Sequence, residues 1–321
     1  LDKFRFGGGE NLAVNYAIVL NKLNIENYIV ADYMDDKFLE KLKNHKIKYL
    51  NKKEFKENTN DILFIHTNRN LLKMHTKYFW KKEKPKMYYI QHLFYSEKKL
   101  KMLSKMINHT CKGFIQITPI TRDMIKKHIK TQIYFFPNFY INKYDEKEKL
   151  KIRNELRKEL KISDNDYIVT FSGVFKKGKN VSHIIELSKQ LKNYKNIKFL
   201  ILGDGPEREI VKNNLNNNII WPGLVNDVEK YLHISDLYFF PSRKEMMPLA
   251  LIEAINADLP IVAYNTELNK FLLEERFIVD NLSEAKDKVL EFYNSNLRKY
   301  SHDNKFDLNF GIKNLKKILW S

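Results

Sequence analysis

The sequence predicts an α/β fold made of two doubly wound, Rossmann-like domains. Three observations lead there. Short β-rich runs alternate with helical patterns along the whole chain. Several of those runs are continuously apolar without a two-residue alternation, as expected of parallel strands covered on both faces. The 321 residues fit two domains at the usual size of ~100–200 residues each.

In the first half, strands are expected at 27–32, 61–67, 86–92, 113–118 and 133–138, with helices at 97–108 and 121–129 among them. In the second half the strands are 167–173, 197–205, 219–223, 236–242 and 259–265. Helices 180–193, 206–216, 226–233 and 247–257 lie between them. After Pro137-Asn138 the chain becomes charged and helical over 145–160, which places a boundary at 139–145. The N-terminal domain is then 1–142 and the C-terminal domain 143–296. Leu297, Leu308, Ile312, Leu315 and Ile318 predict a last helix over 297–319, within a segment 297–321 that packs back on the first domain. "FGGGENLAVNYAIVLNKL" reads as a glycine loop entering a helix. Such a loop normally follows a buried strand, and "LDKFR" is a poor one, so the first strand is expected to lie upstream of this sequence.

Composition narrows the classes. With 43% hydrophobic residues the chain can fill real cores. Its single cysteine, Cys111, excludes a disulfide framework and a cysteine-based metal cluster. No apolar run reaches the ~18 residues that span a bilayer, and no signal peptide is visible. The net charge of +18 suits polyanions, anionic membrane surfaces or phosphate-rich ligands. Only nine of the 57 basic residues are Arg. Nucleic-acid readers favour Arg for bidentate contacts, so no nucleic-acid partner is expected. AT-rich coding, which favours Lys, Asn and Ile, explains much of the charge.

Three strand-to-helix loops carry the chemistry. In "SGVFKKGKN" (172–180), Gly173 and Gly178 permit backbone approach, Lys176, Lys177 and Lys179 supply charge, and a helix begins at Asn180 or Val181. Together they form a candidate diphosphate cradle that is not a P-loop. Taken alone, the lysines read as an exposed turn. "ILGDGPEREI" (201–210) makes a second turn at Gly203, Asp204 and Gly205, with Pro206 placed to start a helix. In "SRKEMMPLALIEA" (242–254), seven residues separate Glu245 from Glu253. A helix starting at Met247 or Pro248 puts Glu245 in the loop and Glu253 about two turns along, at ~1.5 Å per residue. Backbone N–H groups of Met246 and Met247 would meet an anion there. A carboxylate within "LALIEAI" needs a partner, which argues against Glu253 being merely a solvated helix position. A phosphate flanked by two carboxylates that accept from hydroxyl groups matches a sugar nucleotide.

"GGGE", "SGVFKKGKN", "ILGDGP", "IIWPGLVND" and "DLYFFPSRKEMMPLALIEAINADLPIVA" together resemble glycosyltransferase family 4, with the GT-B fold of two Rossmann-like domains facing a cleft. The resemblance covers essentially the whole chain and is strongest over 167–265. It implies that Glu245 bonds the donor-sugar hydroxyls, that Met246 and Met247 hold sugar and phosphate through their backbone, and that Glu253 binds the ribose. Lys179 matches the diphosphate lysine, with Lys177 as the competing register. Gly8 and Gly9 match a glycine loop near diphosphate and acceptor. His92 matches a catalytic cleft histidine that would position the sugar or polarise the developing charge, and His66 a second strand-end histidine that reads more readily as structural. Val174 stands where the family often has Arg, and Asp258 where a glycine is usual.

The implied enzyme is a retaining, metal-independent transferase with no cofactor and a UDP-sugar as donor. The acceptor would be a glycan or lipid-linked glycan for cell-surface polysaccharide such as capsule, or a glycolipid. "WKKEKPKMYYIQHLFYSEKKLKMLSKM" (80–106), basic and aromatic, could rest on anionic lipid, which implies a bacterial, cytoplasmic enzyme peripheral to the membrane. The competing readings are a GT-B sugar-nucleotide epimerase and a non-catalytic basic binding protein or partner subunit.

Overall fold

The computed structural model describes residues 3–4, 8–303 and 305–320. The chain divides into two compact units, one made of 1–139 and 308–321, the other of 140–307.

Unit 1 begins with β1 (Lys3–Phe4), α1 (Gly8–Lys22), β2 (Tyr28–Ala31), β3 (Tyr33–Met34), α2 (Asp36–Asn44) and β4 (Lys48–Asn51). It continues as β5 (Ile62–Ile65), α3 (Asn68–Tyr78), β6 (Lys86–Ile90), α4 (Glu97–Thr110), β7 (Gly113–Gln116), α5 (Arg122–His128) and β8 (Gln132–Phe135). All its strand pairs are parallel: β1 with β3, β2 with β4, and a four-stranded sheet in the order β5-β6-β7-β8. The segment that read as a poor strand thus contributes Lys3 and Phe4, in register with Tyr33 and Met34.

Helices cover the four-stranded sheet because their apolar stripes match its face. Leu71 and Tyr78 of α3, Leu100, Leu103 and Ile107 of α4, and Ile125 of α5 join Ile65, Met87, Tyr89 and Phe114 in one buried cluster. The helix starts are locally encoded: Thr67 caps α3 and Ser96 caps α4, each accepting a backbone N–H three residues on.

Unit 2 runs through α6 (Glu146–Glu159), β9 (Tyr167–Ser172), α7 (Val181–Gln190), β10 (Ile197–Leu202), α8 (Arg208–Lys212), β11 (Ile219–Gly223) and α9 (Val228–Ile234). β12 (Leu237–Phe240), α10 (Leu249–Asn256), β13 (Ile261–Tyr264), α11 (Glu267–Leu272), β14 (Ile278–Val279) and α12 (Leu282–Asn294) complete it. Asp145 and Glu148 start α6 with a reciprocal capping box. The six strands form one parallel sheet in the order β11-β10-β9-β12-β13-β14. This is the doubly wound order, in which the chain reverses direction between β9 and β12. Every residue of β9, β12 and β13 is buried, as the continuous apolar runs predicted.

The chain then returns to unit 1 as α13 (Leu308–Leu319), which packs on α1. The predicted helix over 297–319 is therefore too long. Asn296 turns left-handed at φ 51° and ends the preceding helix. Three partners then hold the next residues extended: Tyr300 N–H donates to Asp258 O at 2.8 Å, Lys299 Nζ to Ala257 O at 3.1 Å, and His302 Nε2 lies 2.8 Å from Leu259 O.

Candidate functional site

In an open parallel sheet, ligands bind beyond the carboxyl ends of the strands where the winding reverses. In unit 2 that point lies between β9 and β12, which pair directly at Val169 with Leu237 and Thr170 with Tyr238. β9 runs into the loop 173–180 and β12 into the loop 241–248, so the two lysine- and glutamate-bearing motifs emerge side by side. Asn180 ties them together. It is left-handed, at φ 55°, stands at the N-terminal end of α7, and donates through Nδ2 to Pro241 O at 2.7 Å.

Across this junction Lys179 Nζ forms an ion pair with Glu245. Both side chains are largely shielded, 17% and 19% exposed. Of the two competing lysines, the structure brings Lys179 to Glu245 and leaves Lys177 exposed. Val174 also faces solvent.

Below the pair, Ser172 Oγ lies 2.8 Å from the hydroxyl of Tyr238, which is fully buried. Burial pushes that phenol well above its usual range, and Glu253 and then Glu245 push it the same way. One buried hydroxyl therefore feels both carboxylates. Tyr140 also senses Glu253: burial raises its phenol strongly, and Glu253 adds to the effect. Glu253 is half-buried, between Ile252 and Ala254, which have no exposed surface. α10 starts at Leu249, after Pro248, so Met246 and Met247 sit just ahead of the helix and both are buried.

The second glycine turn packs against the first, backbone to backbone. Gly173 N–H donates to Leu202 O, Phe175 N–H to Asp204 O, and Glu207 N–H to Phe175 O, at 2.9–3.0 Å. At Gly205, with φ 156°, a Cβ would lie 2.6 Å from Phe175 O, so only glycine fits. The two turns approach each other closely at Gly203 and Gly205, whereas the space beside Gly178 is open. Asp258, in place of a glycine, adopts φ 55° itself, a conformation Asp tolerates better than most residues.

Unit 1 holds the other candidates. His66 follows β5 and His92 follows β6, two adjacent strands in parallel register. Their rings stack at 13° with centroids 5.1 Å apart, and His66 Nδ1 lies 2.9 Å from His92 Nε2. Burial lowers His92 to about 4 and holds His66 well below its usual range. Burial thus favours the neutral form of both rings at neutral pH, and in that form one ring donates and the other accepts. α1 begins at Gly8, and a Cβ at Gly9 would lie 3.3 Å from His92 Nδ1. Gly7 of the same motif lies outside the described residues.

Sequence reasoning missed Asn180 as a tether, the Ser172–Tyr238 pair and Tyr140 beside Glu253. An isolated Tyr hydroxyl in the apolar run "DLYFF" was the available signal for the second. Among the described residues, no group of three or more His, Cys, Asp or Glu is placed to hold a metal ion.

Residues 152–305 match the model of the family described as glycosyl transferases group 1. That segment lies within unit 2 and is similar to the family. The whole chain has the GT-B fold. It overlays on HepE of Anabaena, solved with UDP and glucose, with a TM-score of 0.78 at 15% identity, covering 100% of this chain and 98% of HepE. A glycosyltransferase of Rickettsia africae gives 0.75 at 16% identity, covering 98% and 95%. Among curated relatives, the alpha-galactosylglucosyldiacylglycerol synthase of Streptococcus pneumoniae is 29% identical over 180 residues, 51% of this chain and 46% of the relative. The UDP-Gal:alpha-D-GlcNAc-diphosphoundecaprenol alpha-1,3-galactosyltransferase of Escherichia coli is 30% identical over 180 residues, 49% and 44%. The match spans less than half the length of both relatives. The matched segment contains both loops of the Lys179–Glu245 pair.

Proposed function

We propose that this protein is a retaining glycosyltransferase of family 4 that moves a sugar from a UDP-sugar to a hydroxyl acceptor. One observation carries the reading: Lys179 and Glu245 meet across the reversal point of the unit 2 sheet, with Glu253 on the following helix. A cation for a diphosphate and carboxylates for hydroxyls stand where such a fold binds nucleotides.

In this reading Lys179 and the start of α7 hold the diphosphate and stabilise the charge that develops on it as the glycosidic bond breaks. The backbone ahead of α10, at Met246 and Met247, supports sugar and phosphate. Glu245 accepts from the sugar hydroxyls and Glu253 from the ribose. The acceptor hydroxyl attacks from the face the leaving group departs, and the leaving phosphate takes its proton. No metal or cofactor takes part. To unit 1 we assign the acceptor. A neutral His92 would orient it by hydrogen bonding rather than by acid catalysis, because its proton is lost above pH about 4.

The relatives' names, a glycolipid synthase and a transferase acting on a diphosphoundecaprenol, favour a glycolipid or lipid-linked glycan acceptor. Exposed Trp80, Leu93, Phe94 and Met102 lie among lysines in unit 1, a composition suited to an anionic bilayer surface on the cytoplasmic side. Flotation with anionic vesicles at low salt tests that surface.

The donor reading is tested by thermal unfolding with UDP, GDP, ADP and their sugars. A nucleotide at about 100 times its Kd should add about 2.7 kcal/mol to the folded state. A raised Tm with UDP and UDP-sugars alone is expected. No shift with any nucleotide would refute the assignment.

A further inference from the structure

We propose that Glu245 is the internal counter-ion of Lys179 in the donor-free protein, and that exchanging this partner makes the site favour a sugar-bearing nucleotide over the bare nucleoside diphosphate. The inference rests on the donor-site reading above and concerns how that site rejects its own by-product.

The geometry sets up the exchange. The pair joins two separate loops, and neither side chain is more than a fifth exposed. Lys179 cannot serve a diphosphate without withdrawing some of its charge from Glu245. The carboxylate then stays in a shielded place, close to incoming negative charge. A shielded carboxylate stripped of its counter-ion is unfavourable. With a glycosyl nucleotide, the sugar hydroxyls donate to Glu245 and make up the loss. With a bare nucleoside diphosphate, nothing donates to it. The terminal phosphate also ionises a second time near pH ~6, so at neutral pH it brings charge that the glycosyl ester lacks. Glu245 is therefore satisfied before transfer and repelled by the nucleotide after it, which speeds release of the leaving group.

Calorimetric titration of the full chain with UDP and with UDP-glucose tests this. Glu245→Gln removes the charge and keeps an acceptor oxygen. It should tighten UDP ~5–10-fold and change UDP-glucose by less than ~3-fold, by removing a like-charge contact. Glu245→Asp keeps the charge and should keep the wild-type ratio of the two affinities. Glu245→Ala repeats the charge loss with another side chain, and thermal unfolding checks that each variant is folded. Lys179→Ala should weaken both ligands. UDP affinity unchanged or weaker in both neutral variants, with binding intact in the wild type, overturns the inference alone. Absence of UDP, GDP and ADP binding in wild type and Glu245→Gln overturns the donor reading and this inference with it.

Discussion

His92 shows how one residue's surroundings fix what it can do. Its ring lies against His66 and the start of α1, and burial lowers it to about 4. An unfolded histidine takes up its proton near pH ~6.5. Between these values the unfolded chain binds more protons than the folded one, so acid weakens the fold. The stability from the neutral ring is complete above the unfolded value and disappears as pH falls through the folded one. The difference amounts to about 3 kcal/mol, counting about 1.36 kcal/mol per pH unit. Urea unfolding between pH 7 and pH 4.5 should show most of that loss in the wild type, and His92→Asn should flatten the slope by a similar amount. Equal slopes would mean that the ring is protonated in the folded protein.

Single elements of unit 2 are held by a carboxylate with no exposed surface. Asp236, at the entry to β12, accepts from Ile168 N–H at 2.9 Å and pairs with Arg153 at 2.9 Å, Arg298 at 3.1 Å and Arg157 at 3.4 Å. It thereby ties α6, β9, β12 and the segment after α12 into one block. Removing one partner of such a network leaves buried charge uncompensated and typically costs about 3–5 kcal/mol. Asp236→Ala should lose about that much in urea unfolding, and a loss under about 1 kcal/mol would show that the arginines find water instead. None of this was legible in the sequence, because Asp236 lies far along the chain from each of these partners. The strands of unit 2 were legible, since burial on both faces writes a continuous apolar run. β4 was not, because its residues are half-buried or exposed and leave no such run. The helix expected at 206–216 shrinks to Arg208–Lys212, where an asparagine-rich stretch from Asn213 to Asn218 competes for the backbone. At the site, the spacing of Glu245 and Glu253 was local and could be read. The Lys179–Glu245 pair needed the strand order that sets β9 beside β12, and His66–His92 needed the register of β5 on β6.

At the scale of the molecule, the two proposed activities fall on different stretches of chain. Unit 2 is one continuous segment, Tyr140–Asp307, with a complete six-stranded sheet and both loops of the ion pair. Its entry is clamped from within: Tyr140 OH donates to Glu229 at 2.5 Å, Lys143 Nζ pairs with Asp227 at 2.8 Å, and Tyr144 OH donates to Asp227 at 2.7 Å. A segment with its own core and tethered ends should fold alone. The exposed Trp80, Leu93, Phe94 and Met102 belong to unit 1. A fragment of residues 140–307 should therefore bind UDP within about tenfold of the full chain, a difference of about 1.4 kcal/mol. The same fragment should not float with anionic vesicles that carry the full chain. A folded fragment without UDP affinity would move part of the donor site into unit 1. A fragment that floats would take the membrane surface away from the aromatic patch and assign it to the lysines of unit 2.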